Sequence, residues 1–414
     1  MAVRRWGSLV LSVLLALALL VPAWSPAAPY AASIASANVG DNIAPDLRQK
    51  MSAAPPTQLL PIIVELKPLP APFPPRVNEL LAQRALALLT QFGQPVGGLA
   101  LIDSAAGWAT SSGITSISLD PQVAFIHSDA TVFAAASGSQ VPLSSAYPIA
   151  IDAERVWQEQ GLTGAGPAVA VLDSGINLND DLIKPSNRIV AAVNYADDRG
   201  QYKDAGGHGT HVAGIIGGNG FASNGEYIGI APAVKVVDVR VLDQNGAGRI
   251  SSVVRGIEWV LAHRNQYNIR LINLSLGMPA LPSYRANPLD AAVEIAWLRG
   301  VAVVAAAGNR GPAPGTVDAP GDDPYVITVG ATDDNQTDTI GDDTLAPFSS
   351  WGTPTGSTPK PDVVTPGRRI VSLRSPGSYL DTHYPDRVTT TRTGATYFRL
   401  SGTSMATPVA TGAL

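Results

Sequence analysis

The chain has 414 residues, 45% hydrophobic and 15% charged, with a net charge of −5 and no cysteine. That is enough apolar material for one large core with a smaller domain beside it. Without cysteine there are no disulfides, zinc thiolates or catalytic thiol. No stretch is strongly basic, so a nucleic-acid partner, whose phosphates need clustered Lys and Arg, is excluded as the leading reading.

At the N-terminus, Arg4 and Arg5 precede an almost wholly apolar run from Leu9 to Val21, followed by small residues. This is the pattern of a secretory signal, and the run is short for a membrane span. Cleavage is expected after Ala37, within Ala35-Ser36-Ala37, with Ala27 as a second option and an uncleaved anchor as the competing reading. No later segment is long and apolar enough to cross a bilayer. A secreted, extracellular protein is expected, with no membrane contact after signal cleavage.

Residues 38 to about 145 read as a small α+β domain with a linker. Leu59 to Leu66 alternates poorly and reads as a buried strand. Pro68 to Pro75 is a proline-rich loop. Val77 to Phe92 has apolar residues at helical spacing. Ile114 to Ile117 and Val123 to His127 read as short strands, and Ala134 to Ala146, rich in Ser, Gly and Ala, as a linker.

From about residue 146 the pattern changes. Ala168 to Leu172 is an apolar strand ending at Asp173. Gly209 to Ile216 reads as a helix and Lys235 to Leu242 as a strand. Ile250 to His263 is an amphipathic helix with Val253, Val254, Ile257 and Val260 or Leu261 on one face. Leu271 to Leu276 is a strand, Asp290 to Leu298 a helix, and Val301 to Ala307 and Val326 to Val329 are strands. Asp322 to Asp343 is acidic and reads as a solvated loop. Apolar strands alternating with helices predict an α/β fold, a doubly wound and mostly parallel sheet flanked by helices. Sites in such sheets form beyond the carboxyl ends of the strands.

Three segments carry chemistry. VLDSGI puts Asp173 at a strand end, GGHGTHVAG puts His208 at a helix start, and SGTSMATP puts Ser404 at another. Each alone has a plainer reading: a turn former, an exposed histidine, an N-cap. Together they form an Asp, His, Ser order on one sheet. A serine hydroxyl needs a neutral imidazole to take its proton, and a carboxylate to fix and then stabilise that imidazole. The oxyanion needs donors, for which Asn309, after the strand Val301 to Ala307, and the Ser404 N–H are candidates. Pro408 cannot donate to the Ser404 carbonyl, which places both near the helix start, where proline is tolerated.

AVAVLDSGI, GGHGTHVAGIIGG, LINLSLG, VVAAAGNRG, KPDVVTPG and LSGTSMATPVATG, in this order from about Val156 to the C-terminus, closely resemble the subtilisin-like serine proteases, the subtilases of peptidase family S8. The resemblance implies a serine endopeptidase with Asp173 as orienter, His208 as base, Ser404 as nucleophile and Asn309 as oxyanion donor. It makes His211 structural, and the His208/His211 pair is weak evidence for zinc.

The resemblance further implies a groove that takes an extended peptide as an added strand. Gly246, Ala247 and Gly248 match one edge, and Ser275, Leu276 and Gly277 the other; a surface turn is the competing reading of the first. Ala306 would line the P1 pocket, and Asp318 at its floor would favour Lys or Arg. Residues 38 to 145 would be an inhibitory prosegment, cut by the enzyme itself between about 130 and 150 and acting as an intramolecular inhibitor. The expected partners are otherwise protein or peptide substrates, and a monomer is expected. No cofactor is required for the chemistry. Structural calcium is an option, with oxygen ligands from Asp181 and the loop around Asn224, and no ligand is assigned. Relatives continue past the point, ten positions after Ser404, where this sequence stops at Leu414. A truncated, catalytically silent binding module is therefore the alternative reading.

Overall fold

The computed structural model describes residues 42–69, 76–134, 146–196, 204–354, 356 and 358–414. The expected signal segment and most of the expected linker lie outside these residues. Among the described residues no helix is long and apolar enough to cross a membrane.

The N-terminal module contains α1 (Pro45–Ala53), β1 (Leu60–Leu66), α2 (Val77–Phe92), β2 (Gln94–Leu99), β3 (Ser104–Ala109), α3 (Ser111–Ser118), β4 (Val123–Ser128) and β5 (Thr131–Ala134). Strands β2-β3-β1-β4 form an antiparallel sheet. Successive side chains of a strand point to opposite faces. Accordingly Leu60, Ile62, Val64 and Leu66 of β1 pack with Leu81, Ala85 and Leu89 of α2, while Ile63 joins the core of the larger body. Burial on both faces explains why this strand lacks polar alternation. The strand expected at Ile114 to Ile117 is instead part of α3. Thr110 caps that helix by accepting from the Gly113 N–H at 3.2 Å, and Ile114 and Ile117, three apart, bury on its inner face.

The larger body continues with α4 (Tyr147–Ala150), α5 (Ala153–Gln160), β6 (Ala168–Asp173), α6 (Asp180–Ile183), β7 (Ile189–Asn194), α7 (His208–Gly217), β8 (Lys235–Arg240), β9 (Ala247–Arg249) and α8 (Ile250–His263). Next come β10 (Ile269–Leu274), β11 (Leu276–Pro279), α9 (Pro288–Leu298), β12 (Ala302–Ala306), β13 (Asp318–Ala319), β14 (Ile327–Asp333), β15 (Thr344–Leu345) and β16 (Val363–Pro366). The last are β17 (Ile370–Leu373), α10 (Tyr379–His383), β18 (Val388–Thr390), β19 (Thr396–Leu400) and α11 (Thr403–Ala413). The main sheet runs β15-β14-β12-β10-β6-β8-β7, with β16 also on β14, and only β15 is antiparallel.

Strand β6 shows how the sheet places the site. Ala168, Ala170 and Leu172 pack with Val253, Val254 and Ile257 of α8 and with Leu289 and Val293 of α9. Val169 and Val171 face the other way, onto Val212, Ile215 and Ile216 of α7 and Met405 and Val409 of α11. Each fully buried Val, Leu, Ile or Met among them contributes about 1.5–3 kcal/mol. Asp173 continues the second parity and so faces the layer that carries His208 and Ser404. After β6 the chain builds β7 and β8 on one side, then β10 and β12 on the other. Strand order thus reverses beside β6, where a crevice opens at the strand ends.

The expected solvated loop from Asp322 to Asp343 is corrected in its first half and holds from Asn335 onward. The first half contains β14, and its Asp322, Asp323, Asp333 and Asp334 are all buried. Polar partners make this tolerable: Asp333 pairs with Arg368 and Arg369, and Asp323 and Asp334 accept the Tyr325 and Gln336 N–H groups.

Candidate active site

Asp173 and His208 are buried at 1% and 3% exposure. The His208 Nδ1 lies 2.8 Å from Asp173 Oδ1 and 3.0 Å from Oδ2. With Nδ1 donating to the carboxylate, Nε2 is the bare acceptor of the neutral ring, and it has no hydrogen-bond partner. The Ser174 N–H also donates to Asp173 Oδ1, at 2.7 Å.

Asp204 organises the start of α7. Its Oδ1 accepts from Ser174 Oγ at 2.8 Å and from the Gly207 N–H at 2.7 Å, and its Oδ2 from the Thr210 N–H at 2.8 Å. Ser174 Oγ in turn accepts from the Gly209 N–H at 3.0 Å. These oxygen acceptors satisfy orphan N–H groups at the start of the helix. Burial raises the Asp204 pKa, while its donors oppose that rise. For His208, burial lowers the pKa, but the Asp173 charge, the hydrogen bond to it and the Asp204 charge outweigh burial, and the net shift is upward.

His211 sits one turn further along, fully buried, with Nε2 3.0 Å from the Phe398 carbonyl. Nε2 must carry the proton there. Burial and the His208 charge push its pKa down to about 3. A neutral ring anchored to backbone has a structural role.

Ser404 is the second residue of α11, and α11 packs against α7. Its Oγ donates to the Ser275 carbonyl at 2.8 Å. Pro408 is well inside this helix rather than at its start. It cannot supply the usual bond to the Ser404 carbonyl. The Ser275 Oγ does so instead at 2.9 Å, and is itself fixed by Asn273 Nδ2 at 2.9 Å, whose Oδ1 accepts from Thr411 Oγ1 at 2.8 Å. This network accounts for an interior proline next to the candidate nucleophile.

Asn309 follows β12. Its Oδ1 accepts from the Thr403 N–H at 2.9 Å and from Thr403 Oγ1 at 3.1 Å. With the oxygen committed, the amide nitrogen is the free donor end. The Ser404 N–H, in the first turn of α11, lacks an intrahelical acceptor.

The expected groove residues frame one feature. Strand β5 pairs antiparallel with both edges: Phe133 and Val132 lie opposite Ala247 and Gly248, and Ala134 and Phe133 opposite Leu276 and Gly277. Gly246 is in the turn before β9. Ser275 lies between β10 and β11. Ala306 is buried at the end of β12. Asp318 begins β13, opposite Pro279, with Arg310 paired to it. The N-terminal module adds a further anchor at Asp129. Its Oδ1 accepts the Ser251 N–H at 3.0 Å and its Oδ2 the Ser251 hydroxyl at 2.6 Å, capping α8, which has no cap of its own.

Of the oxygen donors considered for calcium, Asp181 is already committed to protein partners. Both oxygens of Asp181 are engaged, by the Ala222 N–H at 2.7 Å and the Tyr397 hydroxyl at 2.6 Å. The Arg188 guanidinium occupies the neighbouring carbonyls of Asp181, Gly217 and Val234. Among the described residues no group of three or more His, Cys, Asp or Glu is placed to hold a metal.

Asp204, Ser174, Thr403 and Asp129 were missed in the sequence. Only Asp204 left a signal there, as an acidic residue just ahead of an expected helix start.

The chain belongs to the subtilase family, whose model (Peptidase_S8) matches residues 164–414. It is similar to the serine protease AprX of Bacillus subtilis, at 42% identity over 265 residues, covering 63% of this chain and 58% of that protein. It is also similar to the alkaline protease of Shouchella clausii, at 34% over 302 residues (72% and 65%). Subtilisin Savinase of Lederbergia lenta is 37% identical over 256 residues (61% and 77%). The chain thus spans less than two thirds of the first two relatives.

Proposed function

We propose that this protein is a secreted serine endopeptidase, made as a self-processed zymogen, with Asp173, His208 and Ser404 as its triad. The observation that carries the reading is the buried Asp173–His208 pair with a bare Nε2, in the layer that also presents Ser404 at a helix start. Family membership and the protease relatives support it.

In this reading the Ser404 hydroxyl turns from the Ser275 carbonyl to His208 Nε2. It loses its proton there as Oγ attacks the peptide carbonyl. Asp173 keeps the imidazole oriented and stabilises it when charged. The Asn309 amide and the Ser404 N–H receive the oxyanion. His208 then protonates the leaving amine, and water releases the acyl group by the same path in reverse. This chemistry uses no cofactor.

Residues 38 to 145 act as the inhibitor. Strand β5 fills the position of substrate between β9 and β11, and the capping carboxylate of Asp129 adds to its hold. Substrate takes the same place once the chain is cut beyond Ala134, within the expected window of 130 to 150.

The test is casein hydrolysis by purified secreted protein beside Ser404→Ala. The reading expects hydrolysis and an N-terminal cut in the first, and an intact, inactive chain in the second. Ser404→Ala protein already cut in this window would end the self-processing claim. Equal hydrolysis by both would end the assignment of Ser404.

A further inference from the structure

The Arg310–Asp318 pair lies beside the groove, and its charges bear on which bond is cut. Asp318 stands between two walls of the site. On one side is Gly308, next to Asn309, at φ 101°; a Cβ there would collide with Asp318 Oδ2. On the other is the edge strand β11, where a Cβ at Gly277 would lie 3.2 Å from the Asp318 Cβ. The backbone of Asp318 is tied to the strand end by its N–H to the Ala307 carbonyl at 2.9 Å. Gly277 pairs with Phe133 and Leu276 with Ala134, so a chain in this register advances toward Ser275, whose carbonyl holds Ser404 Oγ. The Asp318 carboxylate therefore borders the space for the side chain next to the cut bond.

That carboxylate already has a cation. Arg310 donates through Nε at 2.9 Å and through Nη2 at 2.7 Å, both to Oδ1. The Asp318 side chain is 14% exposed and that of Arg310 45%. Burial raises the Asp318 pKa, and Arg310 counters it through charge and hydrogen bonds. Arg310 is also fixed through its backbone N–H to Ser350 Oγ at 3.0 Å. A Lys or Arg of a substrate would have to displace an internal guanidinium that loses nothing in translational freedom by being there.

The chain's own sequence points the same way. No Lys or Arg occurs between Arg84 and Arg155, and the residues that follow β5 are Ala135, Ala136 and Ser137. A pocket selective for basic residues would find no bond to cut between positions 130 and 150.

We infer that Arg310 is a specificity-determining residue: it neutralises Asp318 from within and sets the enzyme to cut after small or uncharged residues rather than after Lys or Arg. This rests on the endopeptidase reading above and replaces the expectation that Asp318 favours basic residues.

The test uses quenched peptides of sequence Val-Phe-Ala-Xaa-Ala-Ser, with Xaa as Ala, Leu, Glu or Lys, and self-processed enzyme. The wild type is expected to cut after Ala and Leu, and no better after Lys than after Leu. Arg310→Ser is expected to raise the Lys-to-Leu ratio of kcat/KM about tenfold or more, since a desolvated charge pair becomes available to substrate. It leaves cutting after Ala within about threefold, as no contact with the cut bond changes. Adding Asp318→Asn to Arg310→Ser should return the ratio to the wild-type value. A ratio unchanged by Arg310→Ser, or a wild type that already prefers Lys, overturns the inference while leaving the endopeptidase reading intact. No cutting of any peptide by wild-type enzyme overturns both.

Discussion

The floor of the site and its groove are built in opposite ways. On the floor, each heteroatom is aimed by a partner within the same layer: Asp173 by the Ser174 N–H, His208 by Asp173, Asn309 by Thr403, and Ser404 through the Ser275 network. The groove has two edges, and the strand between them comes from the N-terminal module. The floor is a fixed arrangement, consistent with preorganised catalysis. In the proposed zymogen that strand is a removable element, so occupancy rather than geometry would control access to the groove.

Substitutions on the floor are expected to have the largest effects. Ser404→Ala should lower kcat by about a millionfold, the magnitude established for subtilisin, a member of this family. Near-UV circular dichroism should stay unchanged, which separates lost chemistry from lost fold. Asn309→Ala should lower kcat by about 100- to 1,000-fold with little change in KM, as for an oxyanion donor. A large rise in KM instead would make Asn309 a ground-state contact.

The Ser275–Ser404 bond offers a test of the helix itself. Ser275→Ala leaves a buried carbonyl unpaired and should cost about 1–3 kcal/mol in urea unfolding. Pro408→Ala restores a backbone N–H below that carbonyl. In the double variant the loss should be largely recovered, a non-additive outcome that two independent defects would not give.

Effects at the groove should be smaller. Asp129→Ala removes the cap of α8 and should weaken the hold of the cut module by about 1 kcal/mol. Release should then be roughly fivefold faster, measured by the lag before casein hydrolysis begins. An unchanged lag would mean that strand pairing alone holds the module.

The smallest effect concerns pH. His208 is a base only when neutral, which requires a pH above its raised pKa. The acid limb of kcat/KM should therefore lie above the ordinary histidine value of 6.5. Asp204→Asn removes one of the raising charges and should move that limb down.

The same contrast explains what the sequence disclosed. The floor was legible because each of its residues sits in a short contiguous segment at the end of a strand or the start of a helix. The parallel sheet was legible through runs such as Ala168 to Leu172, apolar on both faces. Occupation of the groove by β5 was not, since it joins residues 131–134 to two strands more than a hundred positions away. Asp333 reads as solvent-exposed because its partners Arg368 and Arg369 lie some 35 positions further on, and Asp323 and Asp334 because acceptors of N–H groups two residues on look like ordinary turn formers. Ile114 to Ile117 reads as a strand through its β-branched residues, whereas the Thr110 cap and the burial of both isoleucines on one face make it part of helix α3.

The most direct test of the central claim is titration of the self-processed enzyme with a fluorophosphonate, followed by peptide mapping. The account predicts one label per molecule, on Ser404, with hydrolysis of casein lost in proportion to labelling. Full activity in fully labelled protein, or a label on another serine, would contradict it.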